Sequence, residues 1–287
     1  MNARSALFDV YGDHVGPRGG AAPVAALVKI VEPLGISAAA VRTAVSRMVA
    51  QQWLVPVRLP EGAGYRLTER AERRLSDAAN RIYRNEPRPW DRRWHLLAMG
   101  RVPDRARRER VRSGLSYLGY APLTDGTWLS PHASAELTGL LALEGVEAFS
   151  FTARYDGSDL DAGLTTRAWD LDELGTAYAR WLDEAQALVD RLSDKPSDCE
   201  EFVIRSRLVH EWRKFLFRDP GLPRELLPPG WPGDEAAAFF DSEASRLLPG
   251  AKRYVDLCLM LGATNSEPLE ELAVGQHPER ERRIDAT

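Results

Sequence analysis

The chain has 287 residues and a mass of 32.0 kDa, enough for about two domains or three small ones. Hydrophobic residues make up 44% and charged residues 28%, so a packed core is expected and wholesale disorder is excluded; no apolar run approaches the ~18 residues of a membrane helix. The net charge of −4 hides an asymmetry, because residues 1–113 hold 21 Lys+Arg against 11 Asp+Glu while residues 114–287 hold 17 against 31. A basic part facing a polyanion and an acidic part with another task is one reading of that split; uneven surface charge is the other.

The N-terminal fifteen residues carry Asp9 and Asp13 and no unbroken apolar stretch. No signal peptide is read there, and a cytoplasmic location is expected. The two cysteines, Cys199 and Cys258, exclude a multi-bridge disulfide framework and a Cys-rich zinc site.

Residues 1–85 read as helix, helix, helix, hairpin, helix. Pro17-Arg18-Gly19-Gly20 is a turn signal, and Pro23 to Glu32 a short helix broken by Pro33-Leu34-Gly35. Ser37 is placed as the N-cap of the next helix, which runs to about Gln52. Trp53–Leu59 and Tyr65–Leu67, split by Pro60-Glu61-Gly62-Ala63-Gly64, form the hairpin. Thr68 and Glu69 open a charged helix to about Tyr83, and Asn85-Glu86-Pro87-Arg88-Pro89 marks a boundary.

Residues 90–160 read β-α-β-β-α-β: strand Trp94–Val102, Arg-rich helix Asp104–Leu118, strands Tyr120–Leu123 and Thr127–Ser130, helix His132–Leu143, strand Val146–Ala153. That order is the ferredoxin-like one. From 165 to 265 the pattern is helical. Leu171, Leu174, Tyr178, Trp181, Ala185, Leu188 and Leu192 make a heptad-like seam, read as an intramolecular helix pair in preference to a dimeric coiled coil. The charged stretch from about Ser266 is expected to fray. The fold class is therefore α+β in three domains: an N-terminal winged helix-turn-helix (1–85), a ferredoxin-like middle domain (90–160) and a helical C-terminal domain (165–265).

The helix opened by Ser37 divides sharply at 100° per residue. Val41, Ala44, Val45, Met48, Val49 and Gln52 fall on a core side; Ala39, Arg42, Thr43, Ser46, Arg47 and Ala50 fall on the other. The outer face is small, hydroxylic and basic, with no acid. A DNA groove suits that composition, since Arg can bond guanine in bidentate fashion at roughly 1–3 kcal/mol of discrimination. Arg58, Tyr65 and Arg66 stand where a wing meets phosphates, and Arg18 precedes the motif. Double-stranded operator DNA is the expected partner, contacted by Arg18, Ser37, Arg42, Thr43, Ser46, Arg47, Arg58, Tyr65 and Arg66, with steep salt dependence. The bland reading is a winged fold used only for protein contacts.

The middle sandwich resembles, in topology, nucleases of the CRISPR-associated spacer-acquisition type, which makes a metal-dependent nuclease the alternative function. Such enzymes place an acid at the end of the first strand; here none follows Trp94 until Asp104, so the domain is read as non-catalytic. Arg101, Arg105, Arg107, Arg108, Arg110 and Arg112 are read as a DNA- or anion-facing stretch or simply as a solvated face. In the helix from Asp198 to about Arg218, Arg205 shares the apolar side of Phe202, Leu208, Val209, Trp212 and Leu216, opposite Arg207, His210, Glu211, Lys214 and Arg218. A buried guanidinium needs a partner: an internal acid, or the anionic groups of an effector with His210 beside it. No Walker A, G-x-G-x-x-G, H-E-x-x-H or G-x-S-x-G pattern occurs, so no enzyme and no cofactor are expected.

Several stretches in order resemble the PaaX family of repressors of phenylacetate catabolism. They are Phe8–Asp13 with Gly16-Pro17-Arg18-Gly19-Gly20, Val41–Val49, Tyr65-Arg66-Leu67-Thr68, Trp90-Asp91 with Trp94, and Trp169-Asp170-Leu171. Leu208–Leu216, Arg218–Pro223, Leu226-Leu227-Pro228 and Trp231-Pro232-Gly233 complete the set, which spans about residues 5 to 255. The resemblance implies a homodimeric repressor, released from operator DNA by an acyl-coenzyme A effector such as phenylacetyl-coenzyme A, with the C-terminal domain serving effector binding and dimerisation. Within an acidic half, Arg205, Arg207 and Arg213 would match the anionic coenzyme, so Arg205, His210 and Arg213 are the expected effector residues. The family includes regulators of other catabolic pathways.

Overall fold

The structure is a computed structural model that describes residues 1–60, 62–83, 89–155 and 160–263. The expected linker at 85–88, Glu61 of the expected turn and the charged tail lie outside the described residues. Eleven α-helices and two antiparallel sheets occur among the described residues, and none of these helices is long and apolar enough to cross a membrane. Contacts divide the chain into two compact units, Asn2–Arg73 together with residues 253–263, and Arg74–Lys252.

The first unit contains α1 (Ala3–Val10), β1 (Ala21–Pro23), α2 (Val24–Val31), α3 (Ala38–Ala50), β2 (Leu54–Leu59) and β3 (Gly62–Leu67). Each helix hides one apolar stripe: Ala6, Leu7 and Val10 of α1, Ala26, Leu27 and Ile30 of α2, Val41, Val45 and Met48 of α3. Gly35 breaks the chain between α2 and α3 at φ 79°, a left-handed conformation that costs an L side chain about 1 kcal/mol or more. The strands form an antiparallel sheet in the order β1-β3-β2, with Ala21 opposite Arg66 and Leu54 opposite Leu67.

Two expectations need correction here. The core-side placement of Gln52 fails because α3 ends at Ala50; Gln52 is exposed at φ 58°, and its carbonyl accepts from Thr68 Oγ1 at 2.9 Å. Gly62-Ala63-Gly64 belong to β3 rather than to the turn. A short strand that no local pattern announces, β1, lies against the last of them: a Cβ on Gly64 would sit 2.9 Å from the Ala22 carbonyl oxygen and 2.5 Å from Leu59 Cδ1. Gly64→Ala is therefore expected to destabilise this unit by about 1–3 kcal/mol, read as a lower urea midpoint with an unchanged slope.

Residues 253–263, the end of α11 (Leu248–Ala263), which the sequence pattern joins to the 165–265 stretch, pack on the N-terminal elements. Tyr254 Oη donates to the Lys29 carbonyl at 2.9 Å, Lys29 Nζ to the Leu261 carbonyl at 3.1 Å, and Gly262 lies against Ala26.

The second unit begins within α4 (Glu69–Ile82) and contains β4 (Trp94–Met99), α5 (Arg105–Tyr117), β5 (Ala121–Thr124), β6 (Thr127–Ser130), α6 (Leu137–Glu144) and β7 (Ala148–Ala153). The strands form one antiparallel sheet in the order β5-β6-β4-β7. Leu97 and Trp128 face α5 and α6, whose Val111, Leu115 and Leu137 complete a small core. The opposite face turns Trp94 and Leu129 into a larger core built by α8 (Leu171–Val189), α9 (Asp198–Trp212) and α10 (Pro232–Arg246). A further helix, α7 (Leu160–Ala168), was not expected from the pattern. The start of α6 falls five residues later than expected, because Ser130 Oγ donates to the His132 carbonyl and accepts its N–H, an alternative to helical bonding.

The heptad-like seam is satisfied within the chain. Leu171, Leu174, Tyr178, Trp181 and Ala185 are buried in the larger core, and Leu188 and Leu192 pack at its margin. α9 starts at a capping box between Ser197 and Glu200 and stops being α-helical at Trp212, six residues early. The chain tightens to a 3-10 turn over Arg213–Phe217, where the N–H groups of Arg218 and Asp219 both reach the Phe215 carbonyl, ahead of Pro220. The change of pitch buries Phe215 and leaves Leu216, expected on the apolar side, half-buried.

Candidate nucleic-acid interface

The N-terminus of α3 is set by Ser37, whose Oγ accepts the Ala40 N–H at 3.3 Å. With Val41, Ala44, Val45 and Met48 buried, the helical period turns Ala39, Arg42, Thr43, Ser46, Arg47 and Ala50 to solvent. No acid stands among them, and among the described residues neither Arg42 nor Arg47 makes an ion pair. Thr43 Oγ1 donates to the Ala39 carbonyl at 3.0 Å, so its hydroxyl offers a further partner only lone pairs.

The hairpin is tied to α1 and its extension. Tyr11 is buried and its hydroxyl donates to the Tyr65 carbonyl at 3.0 Å. Burial pushes the Tyr11 phenol well above its ordinary value, with Tyr65 adding to the effect, so it remains a donor at neutral pH. Phe8 meets Trp53 edge-on at 4.7 Å between centroids. Tyr11 is a positioning residue that the angular analysis of α3 does not reveal; only its place in the Phe8–Asp13 stretch signals it.

The structure does not bring all the expected residues to one surface. Arg58 and Arg66 are both exposed, but Arg58 lies opposite Ala63 and Arg66 opposite Val55, so the alternation of the strands puts them on opposite faces of the hairpin. Tyr65 shares the face of Arg58 and is half-buried. Arg18 is engaged inside its own unit: Nε donates to Asp256 Oδ1 at 2.8 Å and Nη1 to the His14 carbonyl at 2.8 Å. The acid that neutralises it lies 238 positions away in sequence, beyond the reach of any local pattern.

The expected effector residues are also separated. Arg205 is only 4% exposed; Nε donates to the Ala244 carbonyl at 3.0 Å and Nη2 to Tyr83 Oη at 2.9 Å. Its guanidinium thus bonds α10 and the segment after α4 to α9. His210 and Arg213 are half-buried, and His210 lies about 140° round the helix from Arg205. A shallow cleft in the same unit is lined by Trp169, Asp170, Glu173, Leu174, Arg218 and Pro220, and Arg218 is paired there with Glu173 at 2.8 Å.

In the Arg-rich stretch, Arg110 Nε reaches both Glu144 carboxylate oxygens at 3.0 Å and Arg108 Nη1 donates to the Val102 carbonyl at 3.0 Å. Arg101, Arg105, Arg107 and Arg112 remain exposed. Asp104, the first acid after β4, caps α5 by accepting the Arg107 N–H at 2.6 Å. Among the described residues no three His, Cys, Asp or Glu side chains gather as a metal ion would require.

The arrangement defines an α+β protein in which an acid-free, arginine-bearing helix faces outward beside a β-hairpin, ahead of a βαββαβ layer and a helical region. Three family models match it in chain order: "PaaX-like protein" over residues 2–71, "PaaX protein central Cas2-like domain" over 87–164 and "PaaX-like protein C-terminal domain" over 169–257. The chain belongs to the PaaX family. It is 29% identical over 264 residues to the Escherichia coli transcriptional repressor PaaX, covering 89% of this chain and 83% of that protein. Among solved structures it is similar to the uncharacterized protein Rv0674 from Mycobacterium tuberculosis, with a TM-score of 0.58 and 25% identity over 90% of this chain and 98% of that one.

Proposed function

We propose that this chain is a DNA-binding transcriptional repressor of phenylacetate-type catabolic genes, and not an enzyme. The observation that carries the reading is the outer face of α3, where Arg42, Thr43, Ser46 and Arg47 are exposed with no acid among them. The Escherichia coli relative, itself a transcriptional repressor, supports it. On this reading α2, α3 and the β2–β3 hairpin are a winged helix-turn-helix, with α3 in the major groove. Ser37 sets the start of that helix. Arg58 with Tyr65 on one face of the wing, or Arg66 on the other face, grips the backbone, and Arg18 supports the motif through His14 and Asp256.

The three domains are 1–85, 90–160 with a ferredoxin-like strand order, and 165–265. The protein acts as a cytoplasmic homodimer. An acyl-coenzyme A such as phenylacetyl-coenzyme A binds between the middle and C-terminal regions, near His210 and Arg213, with Arg205 holding α9 in place. It shifts the dimer between two arrangements of its DNA-binding domains.

Fluorescence anisotropy on DNA from upstream of the protein's own gene tests this. Tight binding that weakens steeply with salt and is released by phenylacetyl-coenzyme A is expected. Binding that ignores this and other acyl-coenzyme A compounds removes the effector. Absence of salt-sensitive binding to that DNA and to a random-sequence pool removes the repressor.

A further inference from the structure

The arginines of α5 are not scattered round the helix. Arg105, Arg108 and Arg112 follow one another at i, i+3 and i+7, so they share one flank, and all three are exposed. The opposite flank is occupied: Gly114 lies against Leu140 of α6, and Arg110, about 160° round the helix from Arg112, is neutralised by Glu144. Among the described residues no ion pair neutralises the three aligned arginines. Glu109, the single acid of α5, stands at the edge of the flank and pairs with none of them. Arg108 Nη1 donates to the Val102 carbonyl at 3.0 Å, which steadies that side chain and leaves Nε and Nη2 to donate elsewhere. The placement also opposes the helix macrodipole. Its positive end favours acids in the first turn, yet beyond the Asp104 cap α5 has no acid there and carries Arg105, Arg107 and Arg108 instead. An external anion on this flank would supply the missing negative charge.

We propose that this flank of α5 is a second DNA-contacting surface, which holds the phosphate backbone of duplex DNA without reading its bases. The proposal rests on the DNA-binding reading above and adds a contact outside the N-terminal unit. Two features select duplex DNA as the occupant. The first is extent. Three arginines at i, i+3 and i+7 span about 10 Å of helix axis, a length over which one strand of a duplex presents about three phosphates. The second is shape. The flank is the open side of a helix, where a small anion would stay largely in water, whereas small ligands are held by enclosure. A polyanion needs no enclosure, because its affinity comes from displacing the counterions along its own backbone. Because the contact carries no base readout, it adds affinity equally on every sequence and leaves discrimination to α3.

Binding of the full chain to operator DNA and to a random-sequence duplex, followed across a range of salt, tests the surface. The triple variant Arg105→Ala/Arg108→Ala/Arg112→Ala is expected to bind both DNAs at least ~10-fold more weakly and by the same factor, with a log–log salt slope lower by about two to three. Arg110→Gln/Glu144→Gln, on the opposite flank, is expected to leave both affinities unchanged. The wild-type chain offers a measurement that needs no substitution. Phenylglyoxal, which modifies accessible guanidinium groups, is expected to label Arg105, Arg108 and Arg112 in the free chain, and bound random-sequence duplex to protect them while exposed Arg191 stays reactive. This protection decides the matter if the triple variant folds poorly. DNA bound with the three arginines unprotected, or a well-folded triple variant whose salt slope is unmoved or whose loss is confined to the operator, overturns the surface and leaves the repressor reading standing. Protection by phenylacetyl-coenzyme A and not by DNA overturns it in favour of a small anion. A wild-type chain that binds neither DNA overturns both.

Discussion

Replacing Arg42 and Arg47 together by alanine is expected to abolish specific operator binding while leaving the melting temperature within about a degree of wild type. Both side chains are exposed on α3, and neither makes an ion pair among the described residues, so the folded state loses little. Each bidentate contact to a base is worth roughly 1–3 kcal/mol, so the pair carries about 30- to 10⁴-fold in affinity. The salt dependence separates two roles. If the guanidinium groups contact bases, the variant loses discrimination between operator and random DNA. If they contact phosphates, binding weakens evenly on all sequences and the log–log salt slope drops by nearly one per arginine. Wild-type affinity in the double variant would remove α3 from the reading role. Arg66→Ala and Arg58→Ala extend the experiment: because the hairpin places them on opposite faces, only one is expected to weaken binding.

The largest stability effect is expected at Trp212. Its ring stacks on Phe240 at 4.8 Å and 10°, meets Trp181 edge-on at 4.7 Å and packs on Phe215 at 5.3 Å, while Nε1 donates to the Ile82 carbonyl at 3.2 Å. Trp212→Ala removes all of these at once. The cost is about 3–5 kcal/mol, which is a large share of the roughly 5–15 kcal/mol that stabilises a domain. Chemical denaturation followed by tryptophan fluorescence and circular dichroism should show it. Trp212→Phe keeps a ring but strips the donor from a buried carbonyl, and about 1–3 kcal/mol is expected. A loss below 1 kcal/mol for the alanine variant would mean that this aromatic cluster does not hold the helical core together. The same cluster contains the seam of α8, so the heptad-like spacing is a record of this internal packing.

Much of the fold was legible in the sequence because it follows from local periodicity. The buried and exposed faces of α3 fall as 100° steps assign them, since its register is fixed by Ser37 at one end and the apolar stripe along its length. The β-α-β-β-α-β order of residues 94–153 follows from alternation and turn residues, and the seam of α8 from its three-and-four spacing. Family membership was legible for a related reason, since ordered motifs survive in the chain even where each is weak alone.

The remainder depended on contacts distant in sequence. β1 is three residues long and is a strand only because β3 pairs with it at Gly64 to Arg66; pairing with β2 holds Gly62 and Ala63 in β3 as well. Arg18 looked available for phosphate, but the fold sets Asp256 beside it; Arg205 was open to an internal partner or an effector anion, and the fold supplies the Ala244 carbonyl and the Tyr83 hydroxyl. A guanidinium's role is set by whichever acceptor the fold brings within 3 Å, and sequence fixes only that it needs one. The sequence by itself determined which residues could face DNA and which must be buried, because those are properties of single elements. Only the tertiary structure decided which arginines are already partnered, and that β7 ends a sheet with two phenylalanines exposed, because these are relations between elements.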